Sequence, residues 1–592
     1  MLKIIILKCL IFSANILGSV TDDNISENSY NGTENFYTAA VLEFNSPGNK
    51  FSSAELTVDA NLKEYIKWIY NVKEYNVDIL VFPEATLNYH GLLGDDLKKF
   101  AIPLPQEISD NEYEYNCDYS SNAILNELSD AVGNVSIYVS VNIVEIEECN
   151  ESTSNTNNFS LYNTNIVFDR SGCIVSRYRK FNLFIEPSMS VPEEADLPTF
   201  ETDFGVTFGH FICFDILFKF PAYDLVLSNI SHFIYPSMWY SEVPFLTSIQ
   251  LQQNYAYRNN IVLLSSGANF PSNSKTGSGI FIGKYGPADS IISYRNETKI
   301  IVAKIPKDLN DDSIALNNPK IQPYTPIEMD RLKTWSFIPK NIYPLQENFH
   351  VKNGEIECDF ALNFTNLSLD YDENVGYVYK LAVNNGKRNL ANIVNTGEMY
   401  CSIIPCLNDD IKTCGNKFKD SRNLVPSTIF HSISITMTVS NINKDDCLIM
   451  PTSLDFSIHP LNVASFQFIE VNKNEFKLEA SKDIDEILTF GIYGRNFSMD
   501  EKIMHKSESN ELLHIVESNE SENKKINENL EIVKLQNYIE NDDKNIGWKL
   551  TIYAGLMVVL CIIAAILVYR RLQHPYEHPL IVMRRKSEMN TS

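Results

Sequence analysis

The strongest constraint on the fold is an alternation of strand-like and helix-like segments between residues 36 and 310. Residues 38–42 and 77–83 are short apolar runs, and residues 58–72 between them carry apolar side chains at helical spacing. Residues 165–179 have the pattern of a hairpin with a central turn. Strands that alternate with helices are typical of βαβ units, so the sequence predicts a layered α/β domain over residues 36–310.

The next part of the chain divides by composition. Residues 311–345 are proline-rich and predict a connector that packs on the surface. From residue 346 to 500 the helical periodicity fades and strand-like runs such as 432–439 take over, which predicts a smaller β-rich domain. Residues 501–547 are rich in Glu, Asn, Lys and Ser and predict an exposed, partly disordered stalk.

Both ends of the chain carry targeting signals. Residues 1–19 combine an early lysine, a short apolar stretch and small residues, which predicts a secretory signal peptide; a buried first strand is the alternative. Residues 550–569 carry no charge and, as a helix, would span about 30 Å, the thickness of a bilayer core. Arginines begin the tail at residues 570–592, which places that tail in the cytoplasm. A removable lipid-anchor signal is the alternative, but such signals end in their apolar stretch.

These signals predict a type I membrane protein of the cell surface or secretory pathway, with its main body extracellular or lumenal. Glycosylation motifs of the form Asn-x-Ser/Thr agree with that side of the membrane. Eleven precede the membrane segment: Asn24, Asn31, Asn134, Asn150, Asn158, Asn229, Asn296, Asn363, Asn366, Asn496 and Asn519.

The cysteine count is typical of a protein in the oxidising secretory pathway. Of eleven cysteines, nine lie outside the signal and membrane segments, and setting aside the candidate nucleophile Cys213 leaves eight. An oxidising compartment would permit up to four disulfides among them. Cys117 and Cys149 form a plausible pair, whereas Cys173 has no obvious partner. The sequence does not fix the connectivity.

Composition narrows the possible partners. The net charge of −26 repels phosphate backbones and argues against nucleic-acid binding, while 44% hydrophobic residues argue against global disorder. The absence of CxxC or paired-histidine spacing gives a zinc site little support, and no pattern indicates an organic cofactor. Acidity by itself does not name a partner.

Three strand-like runs each end in a reactive residue. These are Glu84 in VFPEAT, Lys180 in RYRKFN and Cys213 in GHFICFD. In α/β folds the residues just past strand ends meet in the active-site crevice. Taken singly, Cys213 suits core packing, Glu84 a solvated loop and Lys180 a surface charge. Taken together, they predict a cysteine nucleophile, a general base and a cation that faces a developing oxyanion.

The same segments resemble the Glu-Lys-Cys signature of the nitrilase superfamily and, more narrowly, the vanin/biotinidase family of secreted amidohydrolases. The resemblance runs from residue 38 to 306 and includes FPEATL, DRSGCIVSRYRKFNLFIEP, FGHFICFDILFKFPA, YPSMWYSEVPFLTSIQLQQNYAYRNNIVLLSSGAN and TGSGIF. The later segments CSIIPCLNDDIKTCGNKF and FGIYGRNF resemble the extra C-terminal domain of vanins and biotinidases.

The resemblance implies a four-layer αββα sandwich and hydrolysis through a thioester on Cys213, with Glu84 as the base. It further implies an oxyanion site formed by Lys180 and the backbone N–H of Phe214. Many members carry a second glutamate after the lysine, for which Glu186 is the nearest candidate. Glu193 and Glu194 stay open as alternatives.

The implied substrate is pantetheine, which vanins cleave to pantothenate and cysteamine, or biocytin, as for biotinidase; pantetheine is preferred here. Trp239 is expected either to form a pocket wall or to pack in the core. A catalytically silent adhesion or receptor ectodomain and an acyltransferase are competing hypotheses. An intact triad argues against the first, and a single membrane segment argues against the second.

The sequence departs from the family pattern at three places: the membrane segment, Cys173 in a turn, and His210. His210 precedes the nucleophile by three residues. It is expected to be a hydrogen-bonded strand histidine rather than a group that tunes the thiol.

Overall fold

A computed structural model describes residues 35–501, with gaps at 51–52, 89–93, 106–116, 149–158, 194–195, 311–337, 343–346, 368–374, 392, 419–422 and 441–442. The predicted signal peptide, stalk, membrane segment and tail therefore lie outside the described residues, as does most of the predicted connector. Within the described ranges no helix is both long and apolar enough to cross a membrane.

The described helices are few and the strands many. The helices are α1 (Ala54–Asn71), α2 (Gly94–Phe100), α3 (Ala123–Val135), α4 (Asp224–Leu227) and α5 (Ser248–Asn259). The first twelve strands are β1 (Phe36–Phe44), β2 (Ile79–Val81), β3 (Tyr138–Glu148), β4 (Phe159–Phe168), β5 (Ile174–Arg179), β6 (Thr199–Glu201), β7 (Thr207–His210), β8 (His232–Ser237), β9 (Val262–Ala268), β10 (Ser278–Ile282), β11 (Pro287–Ile291) and β12 (Lys299–Pro306). The later strands are β13 (Ile338–Asn341), β14 (Asn348–Asn353), β15 (Ile356–Asn366), β16 (Val378–Leu390), β17 (Val394–Cys406), β18 (Thr428–Val439), β19 (Cys447–Asp455), β20 (Gln467–Asn472), β21 (Glu475–Ala480) and β22 (Ile487–Asn496).

Strands β1–β12 form one hydrogen-bonded network whose main path runs β5-β4-β3-β2-β1-β9-β8-β7-β6. Strands β1, β2 and β3 are parallel neighbours, as are β7, β8 and β9, while β12 pairs antiparallel with β1. The half that contains β1 to β5 and the half that contains β6 to β9 pack face to face, with the neighbours β1 and β9 between them in the strand order. Ring contacts between Tyr37 of β1 and both Phe208 and His232 join the two halves.

The alternation of side chains along each strand builds the layers. In β1, Ala39 and Val41 face an inner core shared with Ile234 and Leu264 of the opposite half. Ala40, Leu42 and Phe44 of the same strand face outward and pack against α1 and α3. Helix α5 covers the outer face of the other half. The result is the predicted order of helix, sheet, sheet and helix.

The β-rich part is a sandwich of two five-stranded antiparallel sheets, ordered β13-β16-β17-β22-β19 and β14-β15-β18-β21-β20. The disulfide between Cys358 of β15 and Cys401 of β17 joins the two sheets. A second disulfide, Cys406–Cys414, closes a short loop at the end of β17. The predicted smaller β-rich domain is thus present.

The apolar core on the α5 side continues into the sandwich. Helix α5 is buried along nine consecutive residues from Ser248 to Ala256, because the sheet covers one side and the sandwich the other. Its glutamines bond across this boundary: Gln250 Nε2 lies 2.9 Å from Thr452 Oγ1, and Gln253 Nε2 lies 3.0 Å from the Leu461 carbonyl oxygen.

The expected pairing of Cys117 with Cys149 is wrong, because Cys117 is bonded to Cys173. The turn that holds Cys173 packs on α3, where Ser129 Oγ donates to the carbonyl of Gly172 at 2.7 Å. This docking brings the two sulfurs together across 56 residues of sequence. Among the described cysteines, Cys213 and Cys447 are free and buried, and Cys149 lies outside the described residues.

Candidate active site

The structure brings the three predicted residues into contact at one end of the sheets. Glu84 follows β2, Lys180 follows β5, and Cys213 begins a short 3-10 helix after β7. The Lys180 ammonium lies 2.6 Å from Glu84 Oε1, and the Cys213 thiol, whose pKa burial raises, lies close enough to the Glu84 carboxylate for its charge to raise that pKa further. All three are buried: the exposed fraction is 4% for Glu84, 5% for Cys213 and 1% for Lys180.

A second carboxylate completes the cluster. Glu186 Oε1 lies 2.6 Å from the Lys180 ammonium, so the lysine is held between two carboxylates. Of the candidates for this position, Glu186 is the one that reaches the lysine; Glu193 is exposed and Glu194 lies outside the described residues.

Asn163 of β4 joins the two carboxylates and was not predicted from the sequence. Its Nδ2 donates to Glu84 Oε1 at 2.9 Å and to Glu186 Oε2 at 2.7 Å. Its Oδ1 accepts from Asn142 Nδ2 at 2.7 Å, and Asn142 Oδ1 accepts from the backbone N–H of Ala85 at 2.7 Å. This amide relay fixes the Glu84 side chain and the backbone that follows it.

Burial and charge set the protonation states. Burial acts to raise the pKa of Glu84, but Lys180 and the other hydrogen-bond donors outweigh it and hold that pKa below the usual value. For Lys180 burial acts in the opposite sense, and Glu186 and Glu84 raise its pKa well above the usual value. Burial, followed by the charge of Glu84, raises the pKa of Cys213. The resting site thus contains a charged lysine, an ionised Glu84 and a neutral thiol.

The turn that carries Cys213 is held by a buried aspartate. Cys213 has a φ of +46°, a left-handed conformation that costs about 1–3 kcal/mol for a residue with a side chain. Asp215 Oδ2 accepts from the Ile212 N–H and from the Tyr178 hydroxyl, both at 2.9 Å. Asp215 Oδ1 accepts from the Asn182 N–H at 3.0 Å. Because Asn182 lies two residues after the lysine, this carboxylate joins the turn at Cys213 to the lysine segment.

The loop after β8 supplies a backbone donor and one wall of a cleft. The Met238 N–H donates to Glu84 Oε2 at 2.8 Å and lies close enough to Cys213 to hydrogen-bond its sulfur. The cleft beside the thiol is lined mainly by aromatic and aliphatic side chains. Phe214 and Trp239 both line it, and Trp239 also donates its indole N–H to the Leu246 carbonyl at 2.9 Å.

His210 lies in β7 and is fully buried. Its Nδ1 lies 2.9 Å from Asn165 Nδ2 and its Nε2 lies 2.8 Å from Ser176 Oγ, so both ring nitrogens have partners. Burial lowers its pKa to about 3, which keeps the ring neutral. The histidine is therefore placed as a hydrogen-bonded strand residue.

Other predicted sites can be placed only in part. Asn134, Asn229, Asn296, Asn363 and Asn366 are exposed and Asn496 is half-buried; the other five glycosylation motifs lie outside the described residues. Within the described part of the chain, no group of three or more His, Cys, Asp and Glu side chains is arranged to hold a metal ion.

Comparisons with known proteins match both parts of the chain. A family model described as carbon-nitrogen hydrolase matches residues 38–286, and one described as Vanin C-terminal domain matches residues 329–500. Vanin-like protein 1 of Drosophila melanogaster is 33% identical over 497 residues, which cover 78% of this chain and 86% of that protein. The first matched region contains all three of the predicted reactive residues.

Two human enzymes are also similar. Human biotinidase is 30% identical over 288 residues, which cover 46% of this chain and 52% of that protein. Human pantetheine hydrolase is 28% identical over 386 residues, which cover 62% of this chain and 68% of that protein.

Proposed function

The chain is a carbon–nitrogen hydrolase of the vanin family, and from this premise we propose that it cleaves a linear secondary amide through a thioester on Cys213. The observation that carries the proposal is the contact of Cys213 and Lys180 with one carboxylate, Glu84, beside an apolar cleft. A nucleophile, a base and a cation within hydrogen-bond reach of one another are what acyl transfer requires.

The protonation states define the first step. Because the resting thiol is neutral, it must lose its proton as the sulfur attacks the amide carbonyl, and Glu84 accepts that proton. The new S–C bond leaves negative charge on the carbonyl oxygen, which Lys180 and the backbone N–H of Phe214 stabilise. When the tetrahedral intermediate collapses, the C–N bond breaks and Glu84 returns the proton to the departing amine.

In the second step water is the nucleophile. Glu84 takes a proton from water as the water oxygen attacks the thioester carbonyl; the C–S bond then breaks, the acid leaves and Glu84 passes the proton to the sulfur, which restores the thiol. Glu186 and Asn163 are positioning residues in this scheme, since they touch Lys180 and Glu84 and hold both in place.

Pantetheine is the proposed substrate, with pantothenate and cysteamine as products. Similarity to human pantetheine hydrolase over 62% of this chain supports it. Biocytin is the second candidate, supported by the similarity to human biotinidase. A silent adhesion scaffold has no physical need for a buried Glu84–Lys180–Glu186 cluster, which is costly unless every charge is paired.

The proposed location is the membrane, where residues 550–569 anchor a glycosylated extracellular or lumenal part. The boundaries of the signal peptide, domains and stalk are those predicted from the sequence. The disulfides Cys117–Cys173, Cys358–Cys401 and Cys406–Cys414 support a secreted or lumenal body, because disulfides persist in oxidising compartments. Retention of the chain in membranes after alkaline carbonate extraction, and a mass shift on removal of N-glycans, are the expected results. Release by carbonate or an unchanged mass would contradict this setting.

The test of activity is amine release from pantetheine and from biocytin by the full chain. Cys213→Ala removes the proposed nucleophile, and Cys447→Ala is the matched control because Cys447 is the other buried free cysteine among the described residues. Release of cysteamine that is lost only in Cys213→Ala is expected. Cleavage of biocytin alone would keep the reaction and overturn the substrate, whereas equal activity in both variants would overturn the mechanism.

A further inference from the structure

The active-site cleft is not built by the α/β domain alone. Leu390 and Ala391, at the turn between β16 and β17 of the sandwich, line the same cleft as Cys213 and Phe214. Arg388 of the same strand also lines it and forms an ion pair with Glu242 from the loop after β8. The second domain therefore forms a wall of the cavity next to the nucleophile.

Exposure along the cleft distinguishes a mouth from an inner end. Tyr240 and Ala391 are half-buried, whereas Leu217, Leu246 and Leu390 are at most 4% exposed. The buried leucines therefore form the inner part of the cleft, and Tyr240 and Ala391 lie nearer its rim. Apolar surface of this kind stabilises a bound apolar chain by about 25 cal/mol for each Å² removed from water.

The wall from the second domain is held firmly. The loop after β8 carries Glu242, which binds Arg388, and Phe245, whose ring centroid lies 4.6 Å from that of Tyr400 in β17. The Thr489 hydroxyl of β22 donates to the carbonyl of Pro244 in that loop at 2.9 Å. Since Met238 in the same loop donates to Glu84, the sandwich and the catalytic cluster are joined through one short segment.

The turn between β16 and β17 has a strained backbone at Ala391. Ala391 has a φ of +52°, and Ala85, Ile185 and Cys213 also have positive φ values. Ala85 and Ile185 adjoin Glu84 and Glu186, Cys213 belongs to the cluster, and Ala391 lines the same cleft as Cys213. Strained non-glycine residues persist where the surrounding structure fixes a functional geometry.

We infer that Leu390 and Ala391 of the second domain set the length of the acyl chain that the enzyme accepts, an inference that rests on the proposed thioester mechanism. In that mechanism the acyl group stays covalently attached to Cys213 while the amine must leave to solvent. A largely buried, mainly apolar cleft beside the thiol suits the part that stays attached, and it would retard the departure of the other part. The accepted acyl group is therefore one with an apolar chain next to the scissile carbonyl.

The test uses a probe that does not require the natural amide to be known. Chloromethyl ketones R–CO–CH₂Cl alkylate a cysteine: the S–C bond forms, the C–Cl bond breaks, chloride leaves and Glu84 takes the thiol proton. The rate of labelling of the peptide that carries Cys213 is followed by mass spectrometry as the chain R is lengthened. Each methylene that enters the cleft is expected to raise the rate about fourfold, which corresponds to about 0.8 kcal/mol. The rate should fall once the chain reaches the wall.

Two variants change the space in the cleft in opposite directions. Leu390→Ala is expected to shift the optimum to chains two or three methylenes longer, and to raise labelling by the first excluded chain roughly tenfold or more. Ala391→Leu should shift the optimum to shorter chains. Leu478→Ala is the matched control, because Leu478 is equally buried in β21 but does not line the cleft.

The outcomes separate the two claims. Opposite shifts in the two cleft variants, with the natural profile kept in Leu478→Ala, would support the inference. Normal labelling of Cys213 with an unchanged length profile in both cleft variants would overturn it and leave the proposed mechanism standing. A failure of every probe to label Cys213 in the natural chain would overturn the mechanism and the inference together.

Discussion

Asn163→Asp is the most informative substitution in the catalytic cluster. It keeps the shape of the side chain but replaces the amide that donates to Glu84 and Glu186 with a third carboxylate. Two unit charges about 4 Å apart interact by roughly 4 kcal/mol at the effective dielectric of a protein site, and one pKa unit corresponds to about 1.4 kcal/mol. The pKa of Glu84 should therefore rise by about 2–3 units, because the added charge favours its protonated form.

The assay is the pH dependence of kcat/KM for amide cleavage, whose acid limb reports the essential base of the free enzyme. Asn165→Asp is the matched control: Asn165 lies two residues along the same strand and is fully buried, but it bonds His210 and Ser140. The acid limb is expected to move upward by about 2 pH units in Asn163→Asp and to stay in place in the control. Coincident acid limbs in the two variants would refute the role given to Asn163.

Three further predictions concern stability. Burial raises the pKa of Glu43 to about 7 in the folded state, so the protonated form favours folding, and this contribution of about 3 kcal/mol is lost as pH rises from 4.5 to 7. In urea unfolding, Glu43→Gln should flatten the pH dependence of stability in that window, and an unchanged slope would contradict the assignment. Arg388→Met leaves the buried Glu242 carboxylate without its cation and should lower the free energy of unfolding by about 3–5 kcal/mol, whereas a loss below about 1 kcal/mol would show that the pair contributes little. Loss of the inter-sheet disulfide in Cys358→Ala/Cys401→Ala should cost about 4 kcal/mol for its loop of 43 residues, measured as a lower Tm, and an unchanged Tm would argue against that pairing.

The strand ends that carry the reactive residues could be predicted because their signals are local. The run at residues 77–83 places Glu84 just after a strand, and the observed β2 is Ile79–Val81 within it. The same holds for Lys180 after β5. Residues past strand ends in an α/β fold share one edge of the sheet, so their meeting follows from the order of elements alone.

Asn163 could not be found in that way because its role depends on register between strands. It lies opposite Val144 on β3, and the relay through Asn142 needs the exact pairing of β3 with β4. An asparagine inside an apolar run is compatible with many registers. Its neighbour Asn165 has the same local pattern yet bonds His210 instead of the carboxylates.

Helix α5 and the second-domain wall were missed for another reason. The periodic pattern that reveals a surface helix requires one solvent-facing side, and α5 has none between Ser248 and Ala256. The turn at Leu390 and Ala391 lies more than 170 residues after Cys213 in the sequence. No local pattern joins segments so far apart, and the packing of the two domains brings them to one cleft.

The most direct test of the account is to trap the covalent intermediate. The full chain is mixed with pantetheine, quenched in acid during turnover and digested, and the peptide that carries Cys213 is weighed. We expect this peptide to carry the pantothenoyl group in thioester linkage, and the adduct to decay at the rate at which pantothenate appears. Turnover with no acyl group on Cys213, or with the acyl group on another residue, would contradict the proposed mechanism.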